Sequence, residues 1–129
     1  MTTPPTLGTQ TYAITRADLV AYAEASGDHN PIHQDEDVAR SVGLPGVIAH
    51  GMYTMALAAR AVEAWFPGAE VVAFGCKFTR PVVVPAGEGV GLEVAGAVSK
   101  VEDGLTTVTL TVTSGGEKVL GMPRAGGRA

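Results

Sequence analysis

The segment from Gly51 to Phe66 limits the possible folds of this chain more than any other. Met52, Tyr53, Met55, Ala56, Leu57, Ala58, Ala59, Ala61, Val62, Trp65 and Phe66 are apolar, and only Thr54, Arg60, Glu63 and Ala64 break or soften the run. A helix that is apolar on nearly every face has no stripe to give to water, so the spacing predicts one surrounded by protein. Pro67-Gly68 ends it. After Ala69 the pattern changes to period two. Phe74, Cys76 and Phe78 fall on one face, with Gly75, Lys77 and Thr79 on the other. Leu92, Val94 and Val98 share a face in a next strand. Val108, Leu110 and Val112 share one in a third, opposite Thr107, Thr109, Thr111 and Thr113. Outward threonines suit a half-exposed antiparallel sheet. Glu102-Asp103-Gly104 and Ser114-Gly115-Gly116 read as hairpin turns. The expectation is an α+β fold in which a meander of antiparallel strands curves round one long buried helix.

The first third of the chain supplies smaller pieces. Met1 to Gly8 read as a loose lead-in, and Gln10 to Ile14 as a short strand ending at Thr15. Thr15 fits an N-cap, with Asp18 approximating a capping box. The helix that it opens carries Leu19, Val20, Tyr22 and Ala23 on one side and stops at Gly27. Asp35 to Ser41 form a second short helical piece, closed by Gly43 and Pro45. With no internal repeat, low-complexity tract or second boundary, residues 1–129 read as one domain, with 1–8 and 123–129 as loose ends. Such a length suffices for an ordinary core without staples. A net charge of −4 and a pI near 5.2 leave no basic stripe for nucleic acid. Cys76 is the one cysteine, which excludes a disulfide framework and a Cys-rich metal site and fits a cytoplasmic setting. The N-terminus lacks the charged and apolar regions of a signal peptide. The apolar segments are too short, or too interrupted by charge, to cross a bilayer.

Chemistry concentrates in Ser26-Gly27-Asp28-His29-Asn30-Pro31-Ile32-His33-Gln34-Asp35 and in Ile48-Ala49-His50-Gly51-Met52. An acid and an imidazole lie close together around an Asn-Pro turn, and a glycine then opens the apolar helix. That is a proton-transfer pair beside a source of backbone N–H groups for a developing oxyanion. Pro31 fixes φ and biases Asn30 away from helix, so that Asp28 and His33 can converge. Asn30 suits a bond to the loop backbone. Taken alone, an Asp followed by a His in a turn is usually a solvated loop. His29 reads as exposed and without a role, and His50 as a hydrogen-bonding support of the loop rather than a reacting group. Cys76 reads as a small core residue. Three scattered histidines lack zincin spacing, so no metal site is expected.

Tyr22-Ala23, Ser26-Gly27-Asp28-x-Asn30-Pro31-Ile32-His33-x-Asp35, Ala39, Gly43 and Ile48-Ala49-His50-Gly51-Met52 together resemble the hydratase motif of MaoC-like proteins. These are hot-dog-fold (R)-specific enoyl-thioester hydratases and (3R)-hydroxyacyl-thioester dehydratases. The similarity runs from about Tyr12 to Met122. Thr113-Ser114-Gly115-Gly116-Glu117-Lys118-Val119-Leu120-Gly121 adds a narrower resemblance, to the catalytic B subunit of the actinobacterial (3R)-hydroxyacyl-ACP dehydratase. The resemblance implies a single hot-dog fold, with Asp28 and His33 as a catalytic dyad and the Gly51 N–H polarising a thioester carbonyl. It also implies an acyl-CoA or acyl-ACP substrate and no cofactor or metal beyond the substrate's own pantetheine arm. The partner implied is a second copy or a homologous hot-dog subunit. One departure stands out: Pro123 falls where relatives continue their last strand, and a proline removes a ladder donor. The final strand is therefore expected to end early.

Dehydration of a 3-hydroxyacyl thioester removes a weakly acidic C2 proton and the C3 hydroxyl. His33 titrates in the range needed to take that proton. Asp28 would orient the hydroxyl or water and help protonate the leaving oxygen. N–H groups at a helix start lack intrahelical partners and carry the positive dipole end, and glycine at 51 allows close approach. Met52 and Met55 read as packing, with Met52 placed to border an acyl tunnel. Arg80 reads as a surface arginine, with a phosphate at the tunnel mouth as the other possibility. Two rival functions remain open. A hot-dog thioesterase would need an acid on or beside the central helix, where only Glu63 is available, far from Gly51. A non-catalytic hot-dog subunit would not need Asp28, His33 and Gly51 intact.

Overall fold

The structure, a computed structural model, describes residues 7–128. Strand β1 (Leu7–Ile14) leads into helix α1 (Arg16–Ser26), a 3-10 turn at Pro31–His33 and helix α2 (Glu36–Ser41). Helix α3 (Gly51–Trp65) follows, then β2 (Glu70–Phe78), β3 (Val90–Glu102), β4 (Leu105–Ser114), β5 (Glu117–Lys118) and β6 (Leu120–Arg128). The expected helix signals act as read. The Thr15 N–H donates to Asp18 Oδ2 at 2.8 Å, and the Asp18 N–H donates to Thr15 Oγ1 at 3.3 Å, closing the capping box of α1. Gly27 ends that helix with φ of 80°. Asp35 caps α2 through the N–H groups of Asp37 and Val38.

All the strands pair antiparallel, in the order β1-β3-β4-β6-β2, with β5 beside β4. The two hairpins turn at Asp103-Gly104 and Gly115-Gly116, each with both φ values positive, as the right-handed strand twist favours. β3, β4 and β6 lie side by side as the expected antiparallel meander, but β2 does not join it in sequence order. β2 crosses to the far edge and pairs with the last strand, Phe74 opposite Ala125. Alternation reports which face a residue occupies and is silent about which strand lies next to it. Between Thr79 and Gly89 the alternation does not form a strand at all. That stretch carries one bridge, Ile48 opposite Val83, flanked by bonds from the Ala49 N–H to the Val82 carbonyl and from the Val84 N–H to the Val47 carbonyl. It lashes the segment before α3 to the sheet side of the molecule.

The core lies between α3 and the inner face of the sheet. Leu57, Ala58, Ala61 and Val62 meet Leu92, Val94, Val108, Leu110 and Val112, all buried, and the threonines of β4 at 109 and 111 face out as read. Cys76 packs half-buried against this core. Helix α3 itself departs from expectation. Its other side, with Met52, Ala56, Arg60, Glu63 and Ala64, is exposed, because one sheet encloses only one face of a helix. Phe78 also differs: at the end of β2 it is 56% exposed instead of joining Phe74 and Cys76 inside.

The C-terminal segment is ordered strand rather than a loose end. β6 continues through Pro123 to Arg128, because the register shifts there: Gly75 pairs with Arg124 and Lys77 with Gly121, leaving an extra residue on β6. Met122 takes φ of 48° in this bulge, and buried Pro123 sits where no ladder donor is required. At the other end, Leu7 and Gly8 already belong to β1; the expected loose ends at residues 1–6 and 129 lie outside the described residues. No helix among the described residues is long and apolar enough to cross a membrane.

Candidate active site

The loop after α1 is built from short side-chain-to-backbone bonds. The Asp28 N–H donates to Ser26 Oγ, the Asn30 N–H to Asp28 Oδ1 and the Ile32 N–H to Asn30 Oδ1, each at 3.2 Å. Such turns reverse the chain without regular structure. Pro31 occupies the first position of the 3-10 turn, where its missing N–H is not needed. Together they carry the chain from exposed Asp28 to His33, which is only 7% exposed. Asn30 and Pro31 thus shape the loop, and neither lines the cavity below it.

Two bonds join this loop to the segment before α3. The Ile48 N–H donates to the Ile32 carbonyl at 3.2 Å, and His33 Nδ1 lies 2.7 Å from the Ile48 carbonyl. A carbonyl only accepts, so Nδ1 carries the hydrogen and a neutral His33 keeps its lone pair on Nε2. His50 makes a second tie. Its Nε2–H donates to the Asp28 carbonyl at 3.0 Å, and its ring stacks on that of His33 at 3.8 Å with a 22° tilt. His50 is also the N-cap of α3, and its side chain makes no capping bond. Its carbonyl accepts from the Tyr53 and Thr54 N–H groups. Gly51 is the first residue of α3, so its N–H has no intrahelical acceptor and stands at the positive end of the helix dipole.

Asp28, His33, His50 and Gly51 all line one cavity of about 380 Å³. A carboxylate oxygen of Asp28 and a ring nitrogen of His33 lie within 4.8 Å of each other, and among the described residues no direct hydrogen bond joins them. The same three side chains offer oxygen and nitrogen atoms at metal-ligand separations. The two imidazoles, however, are stacked, so their in-plane lone pairs run side by side and do not converge on a tetrahedral centre. The arrangement suits proton transfer better than metal ligation.

Two contributors were not legible as site residues. Phe78 lies over the head of α3, where a Cβ added to Gly51 would meet its ring at 3.0 Å. Period two assigned it to the core, and no sequence signal marks the end of β2 at this residue. Thr54, one turn into α3, is buried in the cavity wall. Arg80 borders the cavity and ion-pairs with Glu117 at 3.3 Å on the surface. His29 is exposed, away from the cavity lining.

Burial lowers the His33 pKa below its ordinary 6.5, and the nearby His50 adds to this, while the bond to Ile48 and the Asp28 charge oppose it. The folded chain therefore binds fewer protons than the unfolded chain as pH falls through 6.5. The contribution of this residue to stability is present above 6.5 and is lost as pH drops toward the folded value. In a nitrogen-15 NMR titration, His33 should titrate below 6.5 and, when neutral, show the hydrogen on Nδ1. A midpoint above 6.5 would contradict this environment.

Comparison with known proteins places these residues in context. Residues 3–116 match the profile of the MaoC-like domain. The chain is 46% identical over 76 residues to 3-hydroxyacyl-thioester dehydratase X of Mycobacterium tuberculosis, a match covering 59% of this chain and 26% of that protein. The matched segment thus spans about a quarter of that relative's length. A solved MaoC-like dehydratase superposes with a TM-score of 0.91 at 36% identity, covering 99% of this chain and 40% of the other. Unliganded R-hydratase PhaJ1 of Pseudomonas aeruginosa superposes with a TM-score of 0.82 at 30% identity, covering 95% of this chain and 78% of that one.

Proposed function

For this chain, which belongs to the MaoC-like domain family, we propose reversible hydration of trans-2-enoyl thioesters to (3R)-3-hydroxyacyl thioesters, carried on CoA or ACP. The observation that carries this reading is the buried His33, its Nδ1 taken by the Ile48 carbonyl, beside the Asp28 carboxylate and the head of α3. In the dehydration direction, His33 Nε2 removes the C2 proton. The electron pair moves toward the thioester oxygen, where the Gly51 N–H and the dipole of α3 stabilise the charge. The pair then returns to form the C2–C3 double bond and expel the C3 hydroxyl, which Asp28 holds in place while it takes the proton from His33 Nε2, so that it leaves as water and His33 ends neutral. Hydration runs the same steps backward, with Asp28 and His33 holding the attacking water. The chemistry closes with these groups alone, and the cofactor-free reading of the sequence stands as part of the proposal.

The thioesterase alternative fits less well. Glu63 lies twelve residues beyond Gly51, about 18 Å along the helix axis, and on the exposed side. It cannot activate water at a carbonyl held by the head of α3. The non-catalytic-subunit alternative accounts for the bond from His33 to Ile48 as a structural tie, but not for an exposed carboxylate, a buried imidazole and the open helix start at Gly51 lining one cavity. One domain and a cytoplasmic setting belong to the same proposal; the shared core and the single cysteine support them.

His33→Ala and Asp28→Ala should each remove most turnover of crotonyl-CoA, by about 10²–10⁴-fold, the usual range for general acid–base groups. Because the two act as a unit, the double variant should be little slower than either single one. Near-normal hydration by either folded variant would sink the dyad.

The same reading includes a dimer, with a second copy or a homologous subunit. β2 is an edge strand, and its exposed Val72 and Phe78, with Met52 on the uncovered side of α3, leave apolar surface beside an open row of backbone groups. Met52 and Phe78 also line the cavity, so a partner seated here would complete its walls. Size exclusion with light scattering should give a dimer or larger for the pure chain. An active monomer would contradict this, whereas an inactive monomer would indicate the heterologous partner.

A further inference from the structure

We propose that His50 is the positioning residue of this site, tying the Asp28 main chain to the head of α3 and backing the His33 imidazole so that acid, base and the Gly51 N–H keep one register. The proposal rests on the reading of Asp28 and His33 as the reacting pair. His50 is 1% exposed, and its side chain does none of the ordinary work of its position. An N-cap is favoured as Ser, Thr, Asp or Asn because a side-chain oxygen accepts from the first N–H groups. His50 makes no such bond, and its Nδ1 is buried without a hydrogen-bond partner. A phenyl ring would fill the same space with no orphaned nitrogen.

What the imidazole supplies is a donor and a flat face aimed at the two halves of the pair. The donor meets the Asp28 carbonyl at 3.0 Å, and the face meets the His33 ring at 3.8 Å. The ring of Tyr22, on α1, closes against His50 at 4.8 Å. The other bonds of Asp28 itself are local turns, and the loop's bonds to Ile48 come four and five residues later, so the tie to His50 is the bond that references the Asp28 main chain directly to the head of α3. Position 50 is also bonded covalently to Gly51, so a shift of this residue moves the carbonyl-polarising N–H with it. His50 is not catalytic: a backbone carbonyl occupies its Nε2–H, and its Nδ1 is closed off from the cavity.

The test compares His50→Gln, which offers an amide donor, with His50→Phe, which keeps only a ring, and His50→Ala, which keeps neither. Each is assayed for crotonyl-CoA hydration with kcat and KM resolved, and the His33 imidazole is followed by nitrogen-15 NMR without substrate. His50→Phe and His50→Ala should lose about 10²-fold in kcat, the scale of an ångström-sized misplacement, with KM little changed. His50→Gln should recover much of the loss. In His50→Ala the His33 midpoint should rise toward 6.5, because water reaches the face that His50 covers and the neighbouring imidazole is gone; Asp28 remains beside it in every variant. Wild-type kcat in His50→Phe, or a His50→Gln variant no better than His50→Phe, overturns the proposal. Should His50→Ala fail to fold, the comparison of Gln with Phe decides. Should the wild type hydrate no enoyl thioester, the functional reading falls separately, and a His33 spectrum unmoved in every folded variant overturns the positioning role.

Discussion

The bond from His33 Nδ1 to the Ile48 carbonyl is the contact on which the rest of the site depends. It joins two segments fifteen residues apart, the Asn-Pro loop and the approach to α3, and does so with a buried side chain. It also decides the chemistry of the imidazole, because a hydrogen fixed on Nδ1 leaves Nε2 as the only base. Burial then lowers its pKa below the ordinary 6.5, which favours the neutral ring. The Ile48 carbonyl is itself held in place, since Ile48 bridges to Val83 and its neighbours bond to Val82 and Val84. The Val82–Val84 stretch thus holds the His33 imidazole in place through residues 47–49, a segment that is neither helix nor named strand.

A second constraint comes from α3. Its first turn is offered to the cavity and its inner face to the core, so one element sets both the stability of the fold and the position of the Gly51 N–H. Carrying an orphaned Nδ1 at the N-cap costs about 1–3 kcal/mol, the desolvation of an unpaired buried polar atom. A serine or aspartate cap would avoid that cost. That a histidine stands here instead is consistent with a site in which geometry outranks local stability.

The sequence made much of this legible because the relevant signals are local. Thr15 with Asp18, Gly27, Asp35 and the Asp103-Gly104 turn each declare themselves within four residues, and the alternation of Leu92, Val94, Val108 and Val112 names the inner face. The spacing of Asp28, Pro31 and His33 marked the loop, the apolar run marked Gly51 as the helix start, and the resemblance supplied its role toward a thioester carbonyl. The missing parts are non-local. The partner of β2 is fixed by a crossover, which alternation cannot report. The bulge that accommodates Pro123 depends on the register against Gly75 and Lys77. The outward face of α3 reads as buried because its composition is apolar, and a single sheet leaves it uncovered. Phe78 and the stacking of His50 on His33 arise only when segments distant in sequence are brought together.

The most direct test follows two signals in one reaction of the wild-type chain with crotonyl-CoA: the enoyl absorbance, and the release of free CoA thiol to a thiol reagent. Hydration at the Asp28–His33 site predicts loss of the enoyl absorbance with no thiol release, and a (3R)-3-hydroxybutyryl-CoA product. Thiol release that keeps pace with substrate loss, or a product of the (3S) configuration, would contradict the account.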